Sequence, residues 1–514
     1  MEYKTNLYSR LNNEVKLVKM HFIGCKGVSM SVLMTLMREQ GIKVSGSDIV
    51  DGGHSSNNVI GADVVVYNAA IASDNVELVE AKKRRIPIIE RAELLGQVSL
   101  GYDTIIAVAG SHGKTTTTAM IGAILSEYNP TIHIGGTATG AGGSRVGSKK
   151  YFVTEACEYK RSFLSLTPNI GVILNCDYDH TDYYKTENDY QKAFSEFSSK
   201  SSVVVVDEKC KFLVDNKKTV VTFGINGAYS INNVQCLMHS VQLPSNQNEP
   251  LIPQQSSATT QPITDSWQLT TSFDVIEHGN QLGTFTIHCV GEHNVQNALA
   301  SITVARVLGH KVDEIQRGLS KFSGIQRRFE TVTTGIYGNG KYGTIIDDYA
   351  HHPIEITTTL QTAKQIILNT KNTLRNSQEK IQKNNIPYNN QDTAKSTGII
   401  NTKDEIETNN NQPSNDGKVR VIFQPHTYTR TQSLAQEFAD ALSIADQVAL
   451  VPIYPAREQP ISGVTHHTIA QKISHCTTYD NLDDAIEFLK QGNKNDITFV
   501  MGAGDIDKII RLPF

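Results

Sequence analysis

The sequence predicts an α/β protein of three consecutive domains, and three observations carry that prediction. Short apolar runs repeatedly end at or near a glycine and give way to helical periodicity, the signature of βαβ units. The 514 residues exceed what one ordinary core holds. Two polar tracts, about 243–266 and about 376–417, interrupt the alternation and read as mobile surface insertions, too poor in apolar residues to bury.

Val18–Ile23 reads as the first strand, followed by a turn and helix in GCKGVSMSVLMTLMREQG that Gly41 closes. KVSGSD, DVVVYNAAI and PIIE read as further strands, with a helix in DNVELVEAKKRRI, giving a mostly parallel sheet over roughly 16–100. A second unit opens with the strand Thr104–Ala109. It continues through KYFVTEA, NIGVILNCDYDH and SSVVVVDE to the helix in EHNVQNALASITVARVLG. A third begins near Phe329, with strands in GTIIDDYA, KVRVIFQPH, QVALVPIY and ITFVMGAG. The expected domains are 1–102, 103–327 and 328–514.

Bulk properties narrow the class. An apolar content of 39% with 19% charged residues suits a globular chain, and a net charge of −4 offers no basic excess for nucleic acid. The seven cysteines are scattered, with no C-x-x-C pair, and read as reduced thiols. The N-terminus lacks the apolar core of a signal peptide and no run is long enough to span a membrane. The expectation is a cytoplasmic protein, without membrane insertion, acting as a monomer or weak homodimer.

The strand Thr104–Ala109 runs into GSHGKTTTT at a helix start. The common spacing G-x-x-x-x-G-K-[ST] asks for glycine at 108, where this chain has Val108, so the loop is a shortened form. Gly110 and Gly113 let backbone N–H groups close around phosphate oxygens, with Ser111 and His112 between them. Lys114 supplies charge, and the hydroxyl of Thr115, with Thr116 behind it, suits a nucleotide-bound Mg²⁺. Glu155 and His180 end strands of the same sheet and reach the same edge, where a carboxylate and an imidazole complete a metal set with Thr115.

In the first domain, FIGCKGVSMS also joins a strand to a helix and suits a diphosphate. Asp48 stands near the spacing of a ribose-binding carboxylate, so a nicotinamide-dependent dehydrogenase is a competing reading of this segment; it leaves the phosphate loop unexplained.

GSHGKTTTT, TEACEY, NCDYDHTDYY, GEHNVQNALA, GIQRRFE, DDYAHHPIEI, FQPHTYTRT, IYPAREQP and GAGDI occur in the order that resembles the ATP-dependent Mur ligases, over residues 18–507 apart from the insertions. DDYAHHP with FQPHTYTRT is similar to those members that join L-alanine to the lactyl carboxylate of UDP-N-acetylmuramate in peptidoglycan synthesis. The resemblance implies an N-terminal Rossmann-like domain for the UDP-sugar, a central P-loop ATPase-like domain, and a C-terminal Rossmann-like domain for the amino acid. It also implies ATP with Mg²⁺ or Mn²⁺, and an acyl phosphate attacked by the alanine amine.

Carried over position by position, the resemblance gives Lys114, Glu155 and His180 catalytic and metal roles. It assigns His293, Asn294 and Asn297 to ATP, although an asparagine pair in a first helical turn also reads as capping. One of Arg327 and Arg328 reaches the γ-phosphate, and Asp348 lies over ATP. His351 and Arg430 act at the reacting groups, with Tyr349, His352, His426 and Arg457 on substrate. Gly24, Lys26, Gly27, Ser29, Met30 and Asp48, with Asn68, Ala69 and Ala70, face the UDP-sugar. The family form of the first turn is closer to G-x-G-G-x-G-M, so Lys26 and Ser29 stand where glycines are usual, and Ser29 is expected to crowd the turn. Related readings are a ligase attaching a preformed peptide to the same sugar, a folate-type ligase, which lacks the first domain, and a non-catalytic nucleotide-sugar-binding scaffold.

Overall fold

The computed structural model describes residues 18–136, 138–140, 142–180, 183–242, 265–332, 342–384, 417–456 and 458–511. They divide into two compact units, with the boundary on the main chain between Gln326 and Arg327.

The larger unit opens with four strands, β1 (Lys19–Ile23), β2 (Lys43–Ser47), β3 (Val64–Tyr67) and β4 (Ile88–Glu90), paired in parallel in the order 2-1-3-4. The helix Val28–Glu39 follows β1 directly and buries Met30, Leu33, Met34, Leu36 and Met37, an apolar stripe at helical spacing.

A second sheet follows, with β5 (Thr104–Ala109), β6 (Pro130–His133), β8 (Ser148–Glu155), β9 (Ile170–Ile173), β10 (Val203–Asp207) and β11 (Thr219–Phe223), and the short β7 (Ala138–Gly140) between β6 and β8 in the chain. Three more strands, β12 (Tyr229–Gln242), β13 (Asp265–Glu277) and β14 (Asn280–Ile287), extend it to nine in the order 14-13-12-11-10-9-5-8-6. β5 has β8 on one side and β9 on the other, so the chain changes direction across the sheet there. In open α/β sheets that switch point opens a crevice at the carboxyl ends of the strands. β15 (Phe322–Ile325) pairs antiparallel with β7.

Helical periodicity does not announce β12–β14. Their signal is alternation, with Thr271, Phe273 and Val275 all buried on one face of β13. The two sheets of this unit share a continuous apolar cluster that includes Met20, Leu95, Phe163 and Phe197. Gly96, on the helix Arg91–Ser99, lies so close to the Ser165 carbonyl that a Cβ would stand 2.2 Å from its oxygen.

The second unit holds β16 (Glu330–Thr331), β17 (Thr344–Asp348), β18 (Val419–Phe423), β19 (Gln447–Leu450), β20 (Cys476–Thr478) and β21 (Ile497–Met501), in the order 16-17-21-18-19-20. All pairings are parallel except β16 with β17. The insertion expected from about 376 starts later: the helix Pro353–Asn384 runs through its first residues, which are rich in Gln, Glu and Lys and favour helix. The rest of that tract to 416, and 243–264, lie outside the described residues. Among the described residues no helix is long and apolar enough to cross a membrane.

Candidate active site

The phosphate loop leaves β5 at its buried carboxyl end. Gly110 has φ of 150° and Gly113 has φ of 82°, and Gly113 caps the helix Lys114–Ile124 without a side-chain acceptor, so the first N–H groups point out of the helix start. Asn175, just beyond β9, clamps the loop from both sides: its Oδ1 accepts from His112 N–H at 2.9 Å and its Nδ2 donates to His112 O at 3.1 Å. Ser111 Oγ donates to Asp177 O at 2.6 Å and also meets the Tyr190 hydroxyl at 2.8 Å.

Lys114 folds back to donate to Gly110 O at 2.5 Å and pairs with Glu158, Oε2 at 3.0 Å. Glu158 also meets His180 Nε2 at 3.3 Å. Burial alone would raise the Glu158 carboxyl, but the Lys114 charge and the His180 hydrogen bond hold it below its ordinary value. Burial likewise works against a charged His180, and Glu158 and Asp179 outweigh it, so the imidazole is held above its ordinary value.

Glu158 is the residue that sequence reasoning missed. Strand-end logic selects Glu155, whereas Glu158 lies one short turn on and reaches Lys114 across 44 positions of chain. Glu155 instead accepts from Gly135 N–H at 3.0 Å, and the neighbouring Gly136 lies against the Thr115 methyl, where a Cβ would stand 3.0 Å away. The Gly135–Gly136 turn therefore sits between Thr115 and Glu155. His180 keeps company with Glu158, and Glu155 does not join the two in a three-residue ligand cluster.

Asn294 and Asn297 are buried in the first turn of the helix Glu292–Val307, and His293 is exposed. Asn297 Oδ1 accepts from Thr117 Oγ1 at 3.2 Å, and Asn294 Nδ2 donates to Val290 O at 2.7 Å. A Cβ on Gly113 would stand 2.4 Å from Asn297 Oδ1, so the pair braces the loop from behind. Thr116 is buried on the loop helix, which leaves its backbone rather than its hydroxyl for a ligand.

Around the first turn, Gly24 has φ of 79° and packs on Asn68, whose Oδ1 closes its own turn by accepting from Ala70 N–H at 2.9 Å. Ala69 O accepts from Lys160 Nζ at 2.8 Å. Two of the expected residues turn their side chains inward. Met30 is a core residue, 1% exposed, because its position on the helix faces the sheet. Asp48 is also buried and braces the turn, accepting from Lys26 N–H at 2.9 Å and Val50 N–H at 3.2 Å, where a ribose contact was expected. Lys26 Nζ meets Asp51 at 3.0 Å on the exposed side of Gly27. The Ser29 hydroxyl meets His133 Nε2 at 3.1 Å and accepts from Arg91 Nη1 at 2.9 Å.

In the second unit the two adjacent arginines separate. Arg327, at φ of 58°, donates to Gly502 O at 2.6 Å and Gly504 O at 3.1 Å and faces Asp347 at 3.5 Å. Arg328 is exposed and, among the described residues, has no carboxylate within ion-pair distance. Asp348 is buried, accepting from Ala350 N–H at 2.7 Å and Phe329 N–H at 2.9 Å, and burial pushes its carboxyl up to about 6. It shapes the loop on which Tyr349, His351 and His352 stand, and Glu355 accepts from the N–H groups of both histidines.

The His351 ring lies 5.6 Å from that of His426, which stacks on Tyr454. Burial, then His351 and Arg430, hold His426 down at about 4. His426 Nδ1 and Arg430 Nη1 are buried without a hydrogen-bond partner, an arrangement that polar ligand atoms complete. Arg457 lies outside the described residues.

A phosphate loop at a sheet switch point, with the His351, His426 and Arg430 cluster of the second unit, marks a nucleotide-using α/β enzyme, and comparison with known proteins agrees. Residues 19–102 match the model of the Mur ligase family catalytic domain and residues 108–305 that of the Mur ligase middle domain. A UDP-N-acetylmuramate–L-alanine ligase of Clostridium botulinum (strain Alaska E43) is 36% identical, with 95% of each chain covered. Its namesake in Clostridium perfringens is 34% identical, with 96% of each covered. The chain belongs to the Mur ligase family. Its fold matches a crystal structure of the UDP-N-acetylmuramate-alanine ligase of Thermotoga maritima at a TM-score of 0.69 and 24% identity, covering 96% of this chain and 97% of that one. A murein peptide ligase from Psychrobacter arcticus matches at 0.57 and 20% identity, with 96% and 97% covered.

Proposed function

We propose that this chain is the ligase that joins L-alanine to the lactyl carboxylate of UDP-N-acetylmuramate, with ATP converted to ADP and phosphate, in peptidoglycan precursor synthesis. The observation that carries the reading is the phosphate loop, with Lys114 at its helix start and Thr115 and Glu155 on either side of Gly135–Gly136. Full-length relatives of that name support the choice of substrates.

A free carboxylate resists amines because it is anionic and has no good leaving group; phosphorylation removes both obstacles. The γ-phosphoryl group passes to the lactyl oxygen, ADP leaves, the alanine amine attacks the acyl phosphate, and phosphate departs from the tetrahedral intermediate. Lys114, shared between Glu158 and the loop carbonyls, is placed to turn to the terminal phosphate. Thr115 and Glu155, on either side of Gly135–Gly136, offer a hydroxyl and a carboxylate that suit Mg²⁺ together with phosphate oxygens and waters, while His180 stands with Glu158. When bound, that ion screens the phosphates from the incoming carboxylate. Burial outweighs the neighbouring Glu355 and, with Arg430 adding to it, holds the His351 imidazole below its ordinary value.

In this reading residues 1–102 hold the UDP-sugar, 103–327 the ATP and 328–514 the amino acid, and the enzyme works in the cytoplasm as a monomer or weak homodimer. The test is ADP release with UDP-N-acetylmuramate and L-alanine, glycine, L-serine, a tripeptide or no acceptor. Turnover is expected with L-alanine, and preference for the tripeptide overturns the assignment. Lys114→Ala is expected to abolish turnover and leave UDP-sugar binding intact.

A further inference from the structure

Beside Glu155 the larger unit encloses a pocket of about 270 Å³, lined by Ser29, Arg91, His133, Glu155 and the apolar Leu95 and Phe163. Arg91 stands at the start of the helix Arg91–Ser99. Among the described residues no carboxylate pairs with it; its one hydrogen bond is to Ser29 Oγ, which leaves most of its five N–H donors for the pocket.

The partners behind it fix its aim. Thr154 Oγ1 donates to Glu155 O at 3.0 Å and so accepts from His133 Nδ1–H at 3.2 Å. His133 Nε2 lies 3.1 Å from Ser29 Oγ and 3.3 Å from Ser29 O, and Arg91 Nη1 donates to Ser29 Oγ at 2.9 Å. A chain of contacts thus runs from Arg91 through Ser29, His133 and Thr154 to the main chain of Glu155. His133 is 2% exposed, and burial first, then the Arg91 charge, lowers it to about 4. Ser29, where the family's first turn usually has glycine, thus supplies the hydroxyl that ties Arg91 to the wall carrying Glu155.

We propose that Arg91 receives the lactyl carboxylate of the sugar nucleotide and holds it beside Glu155 for phosphorylation, with Leu95 and Phe163 against the lactyl methyl. This rests on the function proposed above. An acceptor anion has to approach Glu155 and the ATP phosphates, two centres of negative charge. A cation with no carboxylate of its own in the adjoining pocket offsets that repulsion, and a guanidinium matches a carboxylate with two parallel hydrogen bonds.

The test compares binding of UDP-N-acetylmuramate with that of UDP-N-acetylglucosamine, which has the same diphosphate and no lactyl group. In Arg91→Met the dissociation constant for UDP-N-acetylmuramate is expected to rise roughly 10- to 100-fold, the range of one charge-assisted pair. That for UDP-N-acetylglucosamine and the KM for ATP stay unchanged, and Arg91→Lys recovers part of the loss. Equal weakening of both sugar nucleotides would place Arg91 on the diphosphate and overturn the proposal, as would no change in either. Failure of the functional reading shows separately, as absence of alanine-dependent ADP release by the unaltered protein.

Discussion

The phosphate loop and the histidine–arginine cluster of the second unit both gather cations and treat them in opposite ways. Lys114 is paired with a buried carboxylate that also faces His180. Arg328 and Arg430 have no carboxylate partner among the described residues, and Arg430 Nη1 and His426 Nδ1 are buried with unused hydrogen-bonding capacity. A paired cation keeps a loop in shape before any ligand arrives. Unpaired donors at a strand edge cost stability and are retained for something the chain itself does not supply.

The comparison breaks first, and with the largest effect, at arginine. Arg430→Ala is expected to lower kcat/KM about 10²- to 10³-fold, as for loss of an electrostatic stabiliser, and to leave unfolding free energy within about 0.5 kcal/mol. Arg327→Ala removes bonds to two carbonyls and an ion-pair partner of buried Asp347, and is expected to cost about 2–3 kcal/mol in urea unfolding. Similar destabilisation by both variants would erase the distinction.

Glu158→Gln sharpens it from the loop side. It leaves Lys114 without its counter-ion and is expected to cost about 3 kcal/mol, with part of the loss recovered in the double variant Lys114→Met/Glu158→Gln. Strict additivity in that cycle would argue that the pair does not hold the loop.

A pH effect comes last. His133 titrates at about 4 in the fold against 6.5 for a free imidazole, so its contribution is complete above about 6.5 and is lost as the pH falls toward 4. At about 1.4 kcal/mol per pH unit the loss approaches 3 kcal/mol. His133→Leu is expected to melt lower at pH 7.5, having lost its hydrogen bonds, yet to show a shallower decline between pH 6.5 and 4.5. Parallel declines in thermal melts would exclude His133 as the titrating group.

The fold was largely legible because strand–glycine–helix alternation is local; β12–β14 were not, since their signal is alternation on one sheet face. Within the site, the loop glycines, Lys114 and Thr115 could be read because one turn of chain holds them all. Glu158 escaped because its partner lies 44 positions away and nothing local separates it from Glu155. Arg327 and Arg328 are chemically identical in sequence, and only the left-handed backbone at Arg327, which turns it toward the carbonyls of Gly502 and Gly504, distinguishes them. At Met30 and Asp48 the motif places residues on a turn without saying which side chains face inward, and both side chains are buried.

The Asn175 clamp on His112 has a thermodynamic consequence. A free glycine-bearing loop would surrender about 1–2 kcal/mol of backbone entropy per residue when it froze around a nucleotide. With both polar atoms of the His112 peptide already held by one side-chain amide, that ordering is completed when the protein folds. Nucleotide affinity then draws on the full value of the phosphate contacts, and Asn175→Ala should weaken ATP through an unfavourable entropy with little change in binding enthalpy.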